Sequence, residues 1–159
     1  MSLENLVDIG SLEPAAAHRA DLQRLLTAAA RNLTDAGVKA ISDENRFDAA
    51  YKCVMQCAIA GLRAHGYRTS TSKPGHHQTA IQSLPITIGL GNEDMVALDD
   101  LRRLRNCDDY EGTPIHPEDL AEALAQASAL LAKVRAWLKA HHPELADLAP
   151  GPAPAALAQ

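Results

Sequence analysis

The sequence predicts an all-α protein, an up-and-down four-helix bundle with an extra short helix, and three observations carry that prediction. Alanine dominates an apolar fraction of 47%, whereas aromatic residues make up 3%; Ala is the best helix former and is depleted from strands. Apolar residues recur at three- and four-residue spacing through several long stretches. Most Gly and Pro residues fall between those stretches, where they punctuate rather than interrupt.

The first helix begins near Pro14, at an N1 position, and ends before Gly37. Leu22, Leu25, Leu26, Ala29 and Leu33 form its apolar stripe. The second follows Ser42, a favourable N-cap, with Asp43 and Glu44 set against the helix dipole. Phe47, Ala50, Val54, Cys57, Ala58 and Gly61 lie along one of its faces, and Gly66 stops it. Residues 66–75, GYRTSTSKPG, read as a polar loop without periodicity. A short helix runs from about His77 to Leu84 and is broken at Pro85; the apolar PITIGLG stretch after it is too short to count as a sheet. Asn92 caps a fourth helix that carries Met95, Leu98, Leu101 and Leu104 and ends at Gly112. The last helix opens at Pro117. Its stripe of Leu120, Leu124, Ala127, Leu131, Val134 and Leu138 has the seam spacing of packed antiparallel helices. Leu130 and Trp137 lie off that seam as a second apolar face, which suggests a homodimer.

This pattern divides the chain into an N-terminal extension (1–12), a helical bundle (13–143) and a disordered Ala/Pro-rich tail (144–159). A chain of 159 residues buries roughly 68–70% of its unfolded surface, so folding needs no metal or disulfide staple. Three cysteines, an odd number, argue against a secreted disulfide framework. MSLENLVDIG has neither a basic n-region nor an apolar h-region, and no apolar run approaches the about 18 residues of a membrane span. The expectation is a cytoplasmic protein that does not enter a membrane.

Net charge is −5, which gives no bulk attraction for nucleic acid. Its distribution is uneven. No acidic residue occurs between Asp48 and Glu93, while that interval holds Lys52, Arg63, Arg68, Lys73, His65, His76 and His77. Such a strip either faces an anionic ligand or acidic partner, or is a solvated face balanced by carboxylates brought near in the fold. Cys53 and Cys57 stand one helical turn apart, but no second ligand pair accompanies them, so they read as buried thiols; the sequence calls for no metal and no cofactor. His141 and His142 suit a helix C-terminus.

The densest cluster of reactive side chains is LRRLRNCDDYEG (101–112). Arg105 follows Leu101 by four residues and Leu98 by seven, so a guanidinium sits on or beside the apolar stripe. Arg102, Asn106, Asp109 and Tyr110 are within reach. An Arg105–Asp109 pair on the surface would contribute about 0.2–0.5 kcal/mol; an Arg on a packing seam otherwise needs an anion or an interface, because burying it unpaired is costly.

This chain resembles the HEPN domains, named for higher eukaryotes and prokaryotes nucleotide-binding. Arg105-Asn106 matches the Arg-Asn of the family's penultimate long helix. FDAAYKCVMQCAIAGLRAHGYR (47–68) looks like its Ala-rich second helix, and PGHHQTAIQSL (74–84) like its short helix after a Gly/His loop. The resemblance spans about residues 20–140. It implies a helical bundle, often a homodimer, found in toxin–antitoxin and defence systems. In ribonuclease members the Arg binds the scissile phosphate and a His four to six residues later assists attack by the RNA 2′-hydroxyl, without metal. Here that window holds Asp109, Tyr110 and Glu111. A phenol, with an ordinary pKa near 10, is a poor general base at neutral pH, and a carboxylate repels phosphate. The favoured expectation is a module that binds RNA, a nucleotide or a partner protein (an antitoxin or nucleotidyltransferase) through Arg105, Asn106, Tyr110, Arg102, Lys52, His76 and His77. The alternative is a metal-independent endoribonuclease using Arg105 with Tyr110 or Asp109 in place of the His.

Overall fold

The computed structural model describes residues 1–146, and these are mostly helical. In chain order the elements are α1 (Leu3–Asp8), β1 (Leu12–Pro14), α2 (Arg19–Ala36), α3 (Asp43–Ala64), β2 (Tyr67–Thr69), α4 (His76–Gln82), α5 (Leu84–Thr87), α6 (Asn92–Glu111) and α7 (Pro117–His141). No described helix is long and apolar enough to cross a membrane.

α3 is the central element. Its N-terminus is fixed by Ser42, whose hydroxyl accepts from Asn45 N, while Asp43 and Glu44 sit favourably at the positive end of the helix dipole. Beyond the stripe read from sequence, Tyr51, Cys53, Met55, Ala60 and Leu62 are buried too, so α3 is covered nearly all round. Small residues make this possible, because backbones can approach closely where Ala and Gly replace bulk. At Gly61 an added Cβ would lie 3.0 Å from Thr87 Oγ1, which ties α5 tightly to α3.

Cross-helix contacts give the directions. Arg63 pairs with Asp21 at 3.0 Å and the Arg46 guanidinium donates to Ala36 O at 2.9 Å, so α2 and α3 are antiparallel. Ile115 N donates to Glu44 at 3.3 Å and the His65 ring lies 5.3 Å from Trp137, so α3 and α7 run in parallel. Lys133 on α7 meets Asp94 on α6 at 2.9 Å, and Arg105 on α6 meets Asp48 near the start of α3 at 3.0 Å; α6 is antiparallel to both. The four long helices therefore alternate in direction. α6 leans towards α4 and α3, leaving a cavity of about 240 Å³ against α7, lined by Leu98 and Leu130 among others.

Several sequence expectations change. Pro14 does not begin a helix: it ends β1, and α2 starts at Arg19. β1 pairs antiparallel with β2 in the register Leu12↔Thr69, Glu13↔Arg68 and Pro14↔Tyr67. β2 lies within the stretch read as a structureless loop, reached through Gly66 at φ +85°. Three-residue strands leave no alternation to read, and Pro14 is tolerated because it stands at a strand end. Residues 1–12, expected to be an extension, contribute Leu3, Leu6 and Leu12 to the common core. Pro85 starts a new turn in α5 rather than only breaking the short helix. The N-cap of α6 is Gly91, with Asn92 inside the helix. Leu130, assigned to a second apolar face, is 2% exposed within this one chain, and Trp137 packs on His65, His141 and His142. Leu145 and Ala146, placed in the tail, are buried. Residues 147–159 of that tail lie outside the described residues.

Candidate functional site

α4 and the C-terminal half of α6 border a cleft of about 370 Å³, lined by Gly75, His76, His77, Gln78, Arg102, Arg105, Asn106 and Tyr110. α6 loses its buried face after Leu101, so the following two turns carry side chains to the surface. Its end is unusual. Asp108, Asp109 and Glu111 crowd the last turn, which has no basic residue, although carboxylates there oppose the helix dipole. Partial desolvation, and then Glu44, Asp109 and Asp48, raise the Asp108 carboxyl above its ordinary range. Gly112, at φ +68°, ends the helix.

The guanidinium groups are fixed from behind. Arg105 Nε donates to Asp48 Oδ1 at 3.0 Å, and its Nη2 lies 3.3 Å from Asp109. Its Cζ stands 5.1 Å from the centre of the Tyr51 ring, within the range of a cation–π contact. Arg102 Nε donates to Asp99 at 2.8 Å, and Asp99 is 5% exposed. Desolvation opposes the charge on Arg105, but the Asp48 hydrogen bond and the nearby carboxylates hold it above the ordinary range; the Asp99 hydrogen bond does the same for Arg102.

Tyr51 connects α3 to the cleft. Its hydroxyl lies 2.8 Å from His77 Nδ1, and burial pushes the phenol up to about 12. His77 is held below its ordinary range, first by burial and then by His76, Arg105 and Arg102. The His76 and His77 rings meet edge to face at 4.6 Å. At neutral pH the cleft therefore holds a neutral imidazole between cationic groups.

Of the residues singled out from sequence, Arg102, Arg105, Asn106, Tyr110, His76 and His77 line this one cleft. Lys52 does not: it pairs with Asp48 at 3.3 Å. Asp109 pairs with Arg105 and lies outside the lining. Tyr110 is 85% exposed. The basic strip does not form a single face. Arg63 and Arg68 border a separate cleft of about 350 Å³ with Asp21 and Arg24, Arg68 pairs with Glu13 at 2.9 Å, and Lys73 donates to Ile9 O. Cys53 and Cys57 are buried on α3, where the Cys53 thiol donates to Ala127 O at 3.9 Å.

Sequence reasoning passed over Asp48, Tyr51 and Asp99, which orient the cleft from behind. One signal was present: Asp48 is the last acid before the acid-free interval and stands four residues from Lys52. Tyr51 gave none, because it falls among apolar α3 residues and reads as core.

Compared with known proteins, the chain matches no family model and no curated protein.

Proposed function

We propose that the α4–α6 cleft is a binding site for a phosphate-bearing ligand, RNA or a nucleotide, on a HEPN-like up-and-down four-helix bundle of the kind used in toxin–antitoxin or defence systems. One observation carries this reading. The lining consists of hydrogen-bond donors (His76, His77, Gln78, Arg102, Arg105, Asn106 and Tyr110) and contains no carboxylate. Asp48, Asp99 and Asp109 hold the guanidinium groups from outside that lining. Guanidinium groups fixed in this way meet phosphate oxygens without having to be ordered first. The Arg-Asn pair of the HEPN resemblance falls on the lining. Tyr110 offers an exposed ring on which a base can stack.

The test is binding of short single-stranded RNA and of nucleoside phosphates, followed by fluorescence anisotropy. Arg105→Ala should weaken binding by about 1.5–3 kcal/mol, the range for hydrogen bonds to charged groups, and rising salt should weaken the wild type because counterions compete. If nothing binds at low salt, the reading is wrong and a protein partner becomes the occupant to seek. RNA cleavage by the wild type in chelator, lost in Arg105→Ala, would instead establish a metal-independent ribonuclease.

A further inference from the structure

Tyr51 and His77 form a pair whose proton arrangement follows from burial. Tyr51 is 1% exposed, and among the described residues its hydroxyl has one hydrogen-bond partner, His77 Nδ1 at 2.8 Å. Two arrangements are possible on distance alone. If Nδ1–H donated to the phenol oxygen, the phenol hydrogen would be left without an acceptor in the interior. A buried donor without a partner is expensive, so the hydroxyl donates and Nδ1 accepts. A neutral imidazole that accepts at Nδ1 carries its hydrogen on Nε2. Nε2 has no partner among the described residues, and His77 lines the cleft beside Arg105. The Tyr51 ring also lies against the Arg105 guanidinium at 5.1 Å, so one buried side chain touches both groups.

We infer that Tyr51 is a positioning residue that fixes His77 as an Nε2–H donor, so that the cleft meets an anionic oxygen with a neutral imidazole N–H beside Arg105, and that His77 does not act there as a base. The inference rests on the cleft's taking a phosphate-bearing ligand. Protonating His77 would turn a second hydrogen towards the Tyr51 hydroxyl and force the phenol to rotate and accept. The charged and titratable groups around it oppose or permit this as follows: His76 on α4, and Arg102 and Arg105 on α6, disfavour a further positive charge. Asp48 and Asp99 are already committed to Arg105 and Arg102, and Lys52 and Asp109 lie one step further out, each in its own ion pair. The donor is thus present without a charge of its own.

Nitrogen-15 spectra of the ligand-free full chain test the tautomer directly, because protonated and unprotonated ring nitrogens resonate far apart. His77 should show a protonated Nε2 and an unprotonated Nδ1 at neutral pH, and Tyr51→Phe should convert this to an averaged signal. A protonated Nδ1 in the wild type would overturn the inference. Recognition is tested with inorganic pyrophosphate. Its affinity should vary with pH between about 6.5 and 8 in the same way for wild type and for His77→Gln, because the ligand's own ionisation acts on both and a neutral His77 adds no charge to lose. His77→Gln, whose amide nitrogen reaches the Nε2 position, should bind nearly as well as wild type. His77→Asn, whose amide reaches only the Nδ1 position, should lose about tenfold or more, the change for a hydrogen bond to a charged group. Equal loss in both variants would remove the Nε2 donor from the account. Failure of pyrophosphate to bind the wild type while the spectrum shows the stated tautomer would overturn the occupant instead and leave the Tyr51–His77 arrangement standing.

Discussion

Arg105 makes ion pairs with Asp48 and Asp109 and yet lines the cleft, so its two carboxylates orient it and also compete with any incoming anion. Both effects matter, and charge separates them. Asp48→Asn keeps an oxygen acceptor for Nε while removing a negative charge that now offsets Arg105 and Lys52. Phosphate binding should therefore tighten several-fold at low salt, with a steeper loss as salt rises, because a less neutralised guanidinium captures more of the ligand's counterion release. The pair is about one quarter exposed at each partner, so water screens it and its loss should cost no more than about 1 kcal/mol of stability. Weaker binding with the fold intact, measured by calorimetric titration at two salt concentrations, would show that orientation outweighs charge and that Asp48 is needed to aim Arg105. Tyr110 presents a different case at the same scale. It is exposed and in contact with solvent, so its ring can stack on a ligand.

At the scale of elements, how much could be read depended on length and on periodicity. The bounds of α3, α6 and α7 follow from first-turn acids, from the Ser42 cap of α3 and Pro117 at the start of α7, and from terminal Gly or His, and the leucine stripes of α2 and α7 are amphipathic because each helix has one covered side. β1 and β2 escaped because three residues show neither a two-residue nor a 3.6-residue period, and pairing over 55 residues of sequence depends on tertiary structure that no local pattern encodes. The cleft was legible in part for the same reason. Its lining comes from two short runs rich in His, Arg and Asn, whereas its supporting residues on α3 look like surface acid and core aromatic until α6 is laid beside them. The N-terminal segment offers the sharpest check on this. Leu12 is 1% exposed, packed where β1 meets the helices, so Leu12→Ala should cost about 2–5 kcal/mol, or roughly 5–15 °C in melting temperature for a domain of this size. An appended extension would change stability by under about 0.5 kcal/mol. Thermal denaturation followed by circular dichroism separates the two.

For the molecule as a whole, the long helices form one core around α3, and Leu130 and Trp137 find their cover inside it, so these two residues no longer call for a second copy of the chain. The same burial sets the pH range in which the fold is stable. His77 is held below its ordinary value, so its neutral form is favoured in the folded state. That contribution is complete above the unfolded value of about 6.5 and falls away as pH drops below it, because the unfolded chain then binds the proton more readily. Tyr51 works in the opposite direction. Its phenol is pushed from 10 up to about 12, so the neutral hydroxyl contributes fully below 10 and its contribution is lost as pH rises through about 12. A two-unit shift corresponds to on the order of 2–3 kcal/mol. The hydrogen bond with Cys53, and then burial, push the Cys57 thiol up as well, while the same bond holds the Cys53 thiol down. Stability from denaturant titration should therefore be nearly level across the neutral range and fall on both sides. The difference between wild type and Tyr51→Phe should stay constant up to about pH 10 and then shrink towards pH 12. A difference that remained unchanged across that interval would mean that the Tyr51 hydroxyl reaches water and that the buried Tyr51–His77 bond does not hold in solution.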